Sequence, residues 1–316
     1  MGFRKKIFTA GLLLAAAILP LFFRNSRYTL NLLNLAGIFI ILTYSLNFMH
    51  GYLGLISIGQ AGFFAIGAYM TAGLTMAVGL PYLPSLFLAG IASTLAGLLI
   101  GFPAARIRGH YFVLISLGFA EIVRLIILNW KEVTNGTNGV NNIPAPAVGP
   151  WVFDSRFSHY YLVLFFVLLT SLVTLSLRRS KYGRSMLCLK VGELAATVTG
   201  VDPMRNKLVN FGLSAFFAGL AGGLYASYIG SISPEPFSVN LSVDVLTMLL
   251  VGGSGTIAGP AIGAIFLVFL KEWLRFMKEY YMILYGAGIV LVMILMPDGL
   301  VGLGHRIADR IQSPSD

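Results

Sequence analysis

Residues 178–228 read RRSKYGRSMLCLKVGELAATVTGVDPMRNKLVNFGLSAFFAGLAGGLYASY, and the character of this segment changes along its length. Residues 178–207 are polar and rich in lysine and arginine, whereas residues 208–228 are apolar and rich in glycine and alanine. A basic segment that leads into a long apolar helix is typical of a cytoplasmic loop followed by a membrane span. We therefore expect residues 178–207 to form the one large cytoplasmic connection, where a soluble partner would act.

The composition of the whole chain also indicates a membrane protein. Of its 316 residues, 57% are hydrophobic and 11% are charged, whereas soluble domains are about half apolar and about a quarter charged. Apolar runs of about 20 residues, enough to cross a bilayer core, follow one another along the chain. We predict an all-α, polytopic integral membrane protein that forms a single transmembrane domain, residues 1–316.

The distribution of positive charge predicts the topology. The formal net charge is +10, and the positively charged residues cluster in a few loops. The positive-inside rule accounts for such clusters, so the positive charge does not require a nucleic-acid partner. Residues 1–23 resemble a signal peptide without a convincing cleavage site, so we expect an uncleaved first span. A last span, residues 282–296, returns the tail to the cytoplasm. The sequence thus predicts about ten transmembrane or partly re-entrant helices with both termini cytoplasmic.

Residues 51–74, GYLGLISIGQAGFFAIGAYMTAGL, are apolar and unusually rich in glycine. One interpretation is tight helix packing, because glycine permits close approach between membrane helices. The other is a helix interrupted near Ser57 and Gln60, whose freed polar groups line a path through the membrane. Both interpretations can hold together.

A second interruption is predicted within residues 241–270, at VGGSGTIAGPAIGA (251–264). Pro260 cannot continue a helix without a kink, so we expect two shorter spans, about 240–256 and 259–276. Both interruptions end in Ile-Gly-Ala, which favours a pair of breaks around a central site, as in an inverted repeat. The residues that we predict to line the path are Ser57, Gly59, Gln60, Gly252, Gly253, Ser254 and Gly255.

Glu121 and Arg124 are charged residues inside a predicted span, residues 111–129. Three residues apart on a helix they share a face and can form an intramembrane ion pair. The pair either stabilises helix packing near the membrane surface or forms a polar feature beside the transport path. The sequence leaves both roles open.

Residues 130–159 form the only substantial loop predicted on the extracytoplasmic side, and their Asn, Gly and Pro residues favour turns. The loop is either simply solvated or a docking surface for an extracytoplasmic partner. The candidate docking residues are Asn135, Gly136, Asn138 and Gly139.

Sequence patterns for enzyme chemistry are missing. The chain contains no GxxxxGK[ST] phosphate-binding string, no HExxH motif and no paired carboxylates at a plausible depth for acid–base catalysis, and its single cysteine and four histidines lack zinc-ligand spacing. We therefore predict a non-catalytic protein with no metal and no cofactor.

Four stretches of the chain resemble the permease subunits of ABC importers for branched-chain amino acids, within a superfamily that also holds urea and sugar permeases. They are GYLGLISIGQAGFFAIGAY (51–69), RIRGHYFVLISLGFAEIVRLIILNW with NGTNG (106–139), GRSMLCLKVGELAATVTGVDPMRNKLVNFGLSAFFAGLAGGLYA (183–226) and GGSGTIAGPAIGA (252–264). With the closing MPDGLVG they follow the family's order over nearly the whole chain. Because the branched-chain members of the family typically carry a loop of the type seen at 135–139, the resemblance favours branched-chain amino acids over urea or sugars.

The resemblance implies a role for the cytoplasmic connection. In such permeases a cytoplasmic helix with a Glu-x-Ala-Ala…Gly pattern fits into a cleft of the ATP-binding subunit. The matching residues here are Glu193, Ala195, Ala196 and Gly200. Small alanines would let the helix approach its partner closely, and the glycine would end it.

The resemblance also implies the function and the partners. It indicates a permease of an ATP-driven, binding-protein-dependent importer of leucine, isoleucine and valine in a bacterial-type cytoplasmic (inner) membrane. The implied partners are a second permease subunit, two ATP-binding cassette subunits that hydrolyse ATP, and an extracytoplasmic solute-binding protein. Two alternatives stay open, namely an ABC permease for urea, short amides or sugars, and a self-sufficient channel or ion-coupled carrier.

Overall fold

The computed structural model describes residues 26–107, 110–149 and 151–275, together with residues 18, 20, 21, 286, 287, 290, 294 and 299–302. The predicted first span, residues 1–23, and the predicted last span, residues 282–296, therefore lie almost wholly outside the described residues.

Most of the described chain is α-helical. In chain order the helices are α1 (Arg27–Leu53), α2 (Gln60–Met76), α3 (Tyr82–Ala104), α4 (His110–Asn129), α5 (Lys131–Thr134), α6 (Arg156–Arg179), α7 (Lys181–Val191), α8 (Glu193–Val198), α9 (Pro203–Ile229), α10 (Val239–Gly252) and α11 (Gly259–Leu274). Five of them, α1, α3, α4, α6 and α9, are long and apolar enough to cross a membrane. The chain is thus an all-α, multi-pass membrane protein, as its composition predicts.

Four two-residue strands form two small antiparallel sheets. These strands are β1 (Val140–Asn141), β2 (Ala147–Val148), β3 (Trp151–Val152) and β4 (Ser231–Ile232). β1 pairs with β4, and β2 pairs with β3. Because β4 follows α9, the first sheet ties the loop of residues 130–159 to the end of that helix.

Helices α1 and α9 form the centre of the bundle. α9 packs against α1, α2 and α3, and 83% of the most apolar window of α1 is buried, against 33% for α6. The outer helices expose large apolar side chains, among them Leu99 of α3, Leu114 of α4 and Leu172 of α6. An apolar outer surface around a well-packed centre suits a bundle surrounded by lipid.

Glycine determines how closely α9 approaches α2. A Cβ atom added at Gly222 of α9 would lie 1.9 Å from the carbonyl oxygen of Phe64, and one at Gly67 of α2 would lie 2.0 Å from that of Gly219. No side chain fits at these distances, so the two backbones touch directly. The tight-packing interpretation of the glycine-rich stretch is confirmed for α2.

The connection between α6 and α9 folds into two helices rather than a loose loop. The Ser180 hydroxyl accepts a hydrogen bond from Gly183 N at the start of α7. The Asp202 carboxylate accepts from the backbone at the start of α9, where Pro203 is the first helical residue. These caps place α7 and α8 at the end of the bundle where α6 stops and α9 starts.

Candidate functional site

The first interruption lies between α1 and α2. Residues 54–59 are not helical, so the break starts slightly earlier than the predicted Ser57–Gln60. Serine hydroxyls from three helices or turns satisfy the backbone amides that the break frees. The hydrogen bonds run from Ile58 N to Ser116 Oγ (3.0 Å), from Gly59 N to Ser57 Oγ (3.2 Å) and from Ala61 N to Ser242 Oγ (2.9 Å).

Gln60 is fully buried and joins three helices. Its Oε1 accepts from Ser45 Oγ of α1 at 3.0 Å, and its Nε2 donates to Ser214 Oγ of α9 at 3.0 Å. Buried polar groups are tolerated when they are hydrogen-bonded. Together with the serines of the first break, these residues form a central polar cluster inside an otherwise apolar bundle: Ser45, Ser57, Gln60, Ser116, Ser214 and Ser242.

The second interruption lies between α10 and α11. Gly253 and Gly255 have φ values of +113° and +73°, a region that favours glycine. Thr256 stabilises the turn, because its Oγ1 donates to Gly253 O (2.8 Å) and accepts from Gly259 N (2.9 Å). Pro260 lies in the first turn of α11, so it starts a helix there instead of kinking one.

The second break lies against the end of α1. The Asn47 side chain donates to Thr256 O (3.1 Å) and accepts from Gly255 N (2.8 Å). A Cβ atom at Gly255 would lie 3.1 Å from the carbonyl oxygen of Gly51. The predicted path residues thus fall into two groups, Ser57, Gly59 and Gln60 in or beside the central polar cluster, and residues 252–255 at the end of α1. Asn47 was missed by the sequence analysis, although a polar residue within an apolar span was a usable signal.

Two lysines connect the short helices α7 and α8 to the bundle. Lys190 Nζ of α7 donates to Gly51 O at 2.9 Å. Lys207 of α9 is only 5% exposed, and its Nζ donates to Ala105 O (3.0 Å) and to Glu193 Oε1 (3.0 Å). Sequence reasoning assigned these charges to topology alone and missed both contacts, because charge patterning does not show where a side chain points.

The predicted coupling residues on α8 face two directions. Ala196 is 2% exposed and packs inside the chain, and Glu193 is engaged by Lys207, whereas Ala195 and Gly200 are exposed. Gly200 has a φ of +83° and ends the helical segment. The apolar side chains that remain open on this surface are Leu194 (76% exposed) and Val198 (89% exposed), which the sequence analysis did not single out.

Comparison with known proteins decides the family. Residues 28–293 match the family described as branched-chain amino acid transport system, permease component. The chain belongs to this permease family.

Similar proteins agree with this assignment. The permease is 38% identical to the high-affinity branched-chain amino acid transport system permease protein LivM of Escherichia coli (strain K12). The aligned region covers 94% of this chain and 75% of LivM. It is 22% identical to LivH of the same organism, over 86% of this chain and 94% of LivH. The ribose import permease protein RbsC of Haemophilus influenzae is 23% identical over 65% of each chain. No solved structure gives a significant match.

The Glu121 and Arg124 side chains of this permease contact each other within α4. Arg124 Nε donates to both carboxylate oxygens of Glu121 at 3.0 Å, and both side chains are partly exposed. The contact therefore links neighbouring turns of one helix.

The predicted docking residues of the permease lie in a well-folded turn. Gly136 and Gly139 are buried, whereas Asn135 and Asn138 are exposed. A Cβ atom at Gly139 would lie 2.0 Å from Ile232 O, so this glycine allows β1 to pair with β4. The two glycines shape the loop, and the two asparagines form its accessible surface.

We expect Gln60→Leu to lower the free energy of unfolding of the permease by about 1–3 kcal/mol. The substitution leaves the buried Ser45 and Ser214 hydroxyls without the amide that now joins them. Thermal or denaturant unfolding in detergent measures the effect. The double variant Gln60→Leu, Ser214→Ala should regain part of the loss, since it also removes the Ser214 hydroxyl; the Ser45 hydroxyl keeps its hydrogen bond to Leu42 O (2.6 Å). A Gln60→Leu variant as stable as the wild type would contradict the assignment.

Proposed function

We propose that this permease is the membrane-spanning subunit of an ATP-driven, binding-protein-dependent importer of branched-chain amino acids in a bacterial cytoplasmic membrane. The observation that carries the proposal is the 38% identity to LivM over 94% of the chain. The sugar alternative has weaker support, since RbsC matches less of the chain at lower identity.

The proposed assembly contains a second permease, two ATP-binding cassette subunits and an extracytoplasmic solute-binding protein. LivM and LivH are named as permeases of the same kind of system in one organism, which supports a related rather than an identical second permease. ATP hydrolysis belongs to the cassette subunits. The whole chain acts as one permease domain, with α7 and α8 on the cytoplasmic side, residues 130–159 on the other side, and both termini in the cytoplasm after about ten crossings.

The proposed translocation path runs beside the two helix breaks. Non-helical backbone at membrane depth is tolerated where it is buried in protein or lines a water-filled cavity. In the present conformation the groups of the first break are hydrogen-bonded within the central polar cluster. Opening of the path therefore has to separate elements that now exchange these hydrogen bonds, and their polar groups then become available to the solute.

The proposed coupling route starts at the outer surface of α8. The exposed Leu194 and Val198 side chains offer an apolar contact for a cassette subunit. Movement of the adjoining helix α7 is transmitted to the path through Lys190, whose Nζ donates a hydrogen bond to the Gly51 carbonyl. Since Gly255 packs on that same carbonyl, one displacement at α7 acts on the end of α1 and on the second break together.

The proposal is tested by placing a charge on the coupling surface. We expect Leu194→Glu and Val198→Glu to weaken association with the cassette subunit about tenfold or more, because a docked interface would bury an unpaired carboxylate. Stability of the permease itself should hold, since both side chains are exposed. The measurements are the amount of cassette subunit that co-purifies and leucine uptake by reconstituted proteoliposomes.

Val133→Glu is the matched control for this test. Val133 is also an exposed valine, at 61%, but it lies in α5 at the other end of the molecule, so this variant should retain the cassette subunit. Full cassette binding and normal uptake by both α8 variants would remove α8 as the docking element. Absence of leucine uptake by the wild-type assembly would overturn the proposed substrate.

A further inference from the structure

A cavity of about 610 Å³ opens where α1 and α6 begin and α9 ends. α1 links this cavity to the opposite end of the molecule, because Arg27 lines the cavity and Gly51, near the other end of α1, contacts Lys190 of α7. A helix of that length spans about 40 Å. The cavity is therefore remote from α7, α8 and the second break. Its volume is in the usual range for small-molecule sites, about 300–1,000 Å³.

Two cationic groups and one anionic group line the cavity. The cations are the guanidinium groups of Arg27 and Arg156, and the anion is the carboxylate of Asp154. All three side chains are exposed, and within the described part of the chain no ion pair joins either arginine to Asp154. Both signs of charge are thus available to a ligand instead of neutralising each other.

The wall of the cavity is held in place by its own hydrogen bonds. The Arg156 guanidinium interacts with the Tyr228 hydroxyl, which in turn donates to Oδ1 of Asn31. Because the Tyr228 ring lies 4.8 Å from the ring of His159, the aromatic wall is continuous. This preorganisation favours binding, since fewer side chains need to be ordered when a ligand enters.

His159 contributes a buried polar atom that the protein does not use. The side chain lines the cavity, is 3% exposed and forms a hydrogen bond to the backbone carbonyl of Leu224. Its Nε2 atom has no hydrogen-bond partner among the described residues. Since Nε2 has almost no accessible surface, His159 contributes its ring to the cavity wall and offers no open acceptor to a ligand.

We propose that this cavity binds the α-carboxylate and the α-ammonium group of an amino acid. Arg27 and Arg156 contact the carboxylate, for which the planar guanidinium fork is well matched. The Asp154 carboxylate accepts hydrogen bonds from the ammonium group. Asp154 decides between ligand classes. Its negative charge repels a simple anion that would bind the two arginines, whereas it attracts the ammonium group of a zwitterion.

The inference rests on the proposed function, since it gives the importer's solute a first site on the permease. With α7 and α8 in the cytoplasm, the cavity faces the side from which a binding protein would deliver the amino acid. Leu30 and Phe153, which also line it, supply apolar surface for an aliphatic side chain.

Equilibrium binding of radiolabelled leucine to the full chain in lipid nanodiscs tests the inference, without cassette subunit or binding protein. We expect saturable binding that is weakened about tenfold or more by Arg156→Gln and by Asp154→Asn. Arg275→Gln is the control, because Arg275 is 76% exposed and lies outside the cavity. Leucinamide lacks the carboxylate and 4-methylpentanoate lacks the ammonium group, so each should compete about tenfold less well than leucine or worse.

Three results would overturn the inference: no saturable binding by the wild-type chain, equal binding by the cavity variants, or equal competition by 4-methylpentanoate, which would indicate an anion site. Size-exclusion profiles confirm that the variants remain folded. Leucine uptake by the assembled transporter separates the two hypotheses. Uptake without binding at the cavity removes only this site, whereas binding at the cavity without any uptake removes the proposed function.

Discussion

Gly222→Ala is expected to disturb the packing of α9 on α2 and to lower the free energy of unfolding by about 3 kcal/mol, the upper end of the usual cost of overpacking. The added methyl group would lie 1.9 Å from Phe64 O and 2.9 Å from Ala68 N. Both neighbours are backbone atoms of a helix, which cannot rotate away as a side chain can. Because α9 also packs on α1 and α3, a shift of this helix disturbs the whole centre of the bundle. The yield of monodisperse protein and its thermal unfolding in detergent measure the effect.

Gly73→Ala is the matched control for Gly222→Ala. Gly73 also lies within a helix, α2, but a Cβ atom there would have no neighbour within 4 Å. Alanine is favoured over glycine in a helix by about 0.5–1 kcal/mol, so this variant should be as stable as the wild type or more stable. Equal stability of the two variants would show that the α2–α9 contact is less close than described.

Gly255→Val should abolish most leucine uptake while the permease still binds its cassette subunit. Gly255 has a φ of +73°, where a side chain costs about 1–2 kcal/mol. Its Cβ atom would also lie 3.1 Å from Gly51 O, and valine extends further than Cβ. The valine would therefore push the second break away from α1 and weaken the hydrogen bond between Gly255 N and Asn47. We expect initial uptake rates in proteoliposomes to fall about tenfold or more, which corresponds to about 1.4 kcal/mol.

Gly230→Val separates backbone strain from the contact between α1 and the second break. Gly230 has a similar φ of +75°, but a Cβ atom there would have open space. This control should lose about 1–2 kcal/mol of stability from strain alone and keep most of its uptake. If both variants transport at the same rate, the Gly51–Gly255 contact has no part in the path.

Helix α8 shows how much of a short helix a local sequence pattern can predict. The sequence pattern predicted that Glu193, Ala195, Ala196 and Gly200 lie on one short helical segment that ends at the glycine, and the structure has α8 followed by Gly200 with a positive φ. The pattern did not say which of these residues face outward. Ala196 is buried because α8 lies on the bundle, and a six-residue helix has too few turns for its inward face to be read from periodicity.

The two lysine contacts illustrate the same limit. The basic residues of the connection predicted its side of the membrane, since that depends only on the number of charges near the spans. Whether a lysine is solvated or caps a carbonyl depends on what lies opposite. Lys190 meets the end of α1, 139 residues away, and Lys207 meets Ala105, 102 residues away.

The sequence by itself determined the membrane class, the family and the approximate positions of both helix breaks. The membrane class and the breaks depend on composition and on local glycine and proline chemistry, which act within a few residues, and the family followed from the resemblance of four stretches of sequence. Only the tertiary structure decided that Gln60 joins Ser45 to Ser214, that Gly255 rests on Gly51, and that charged groups surround a cavity beside His159. The reason is that such contacts form between segments up to about two hundred residues apart, as between Asn47 and Gly255. Their geometry follows from how closely α1, α2 and α9 pack, and no local pattern contains that distance.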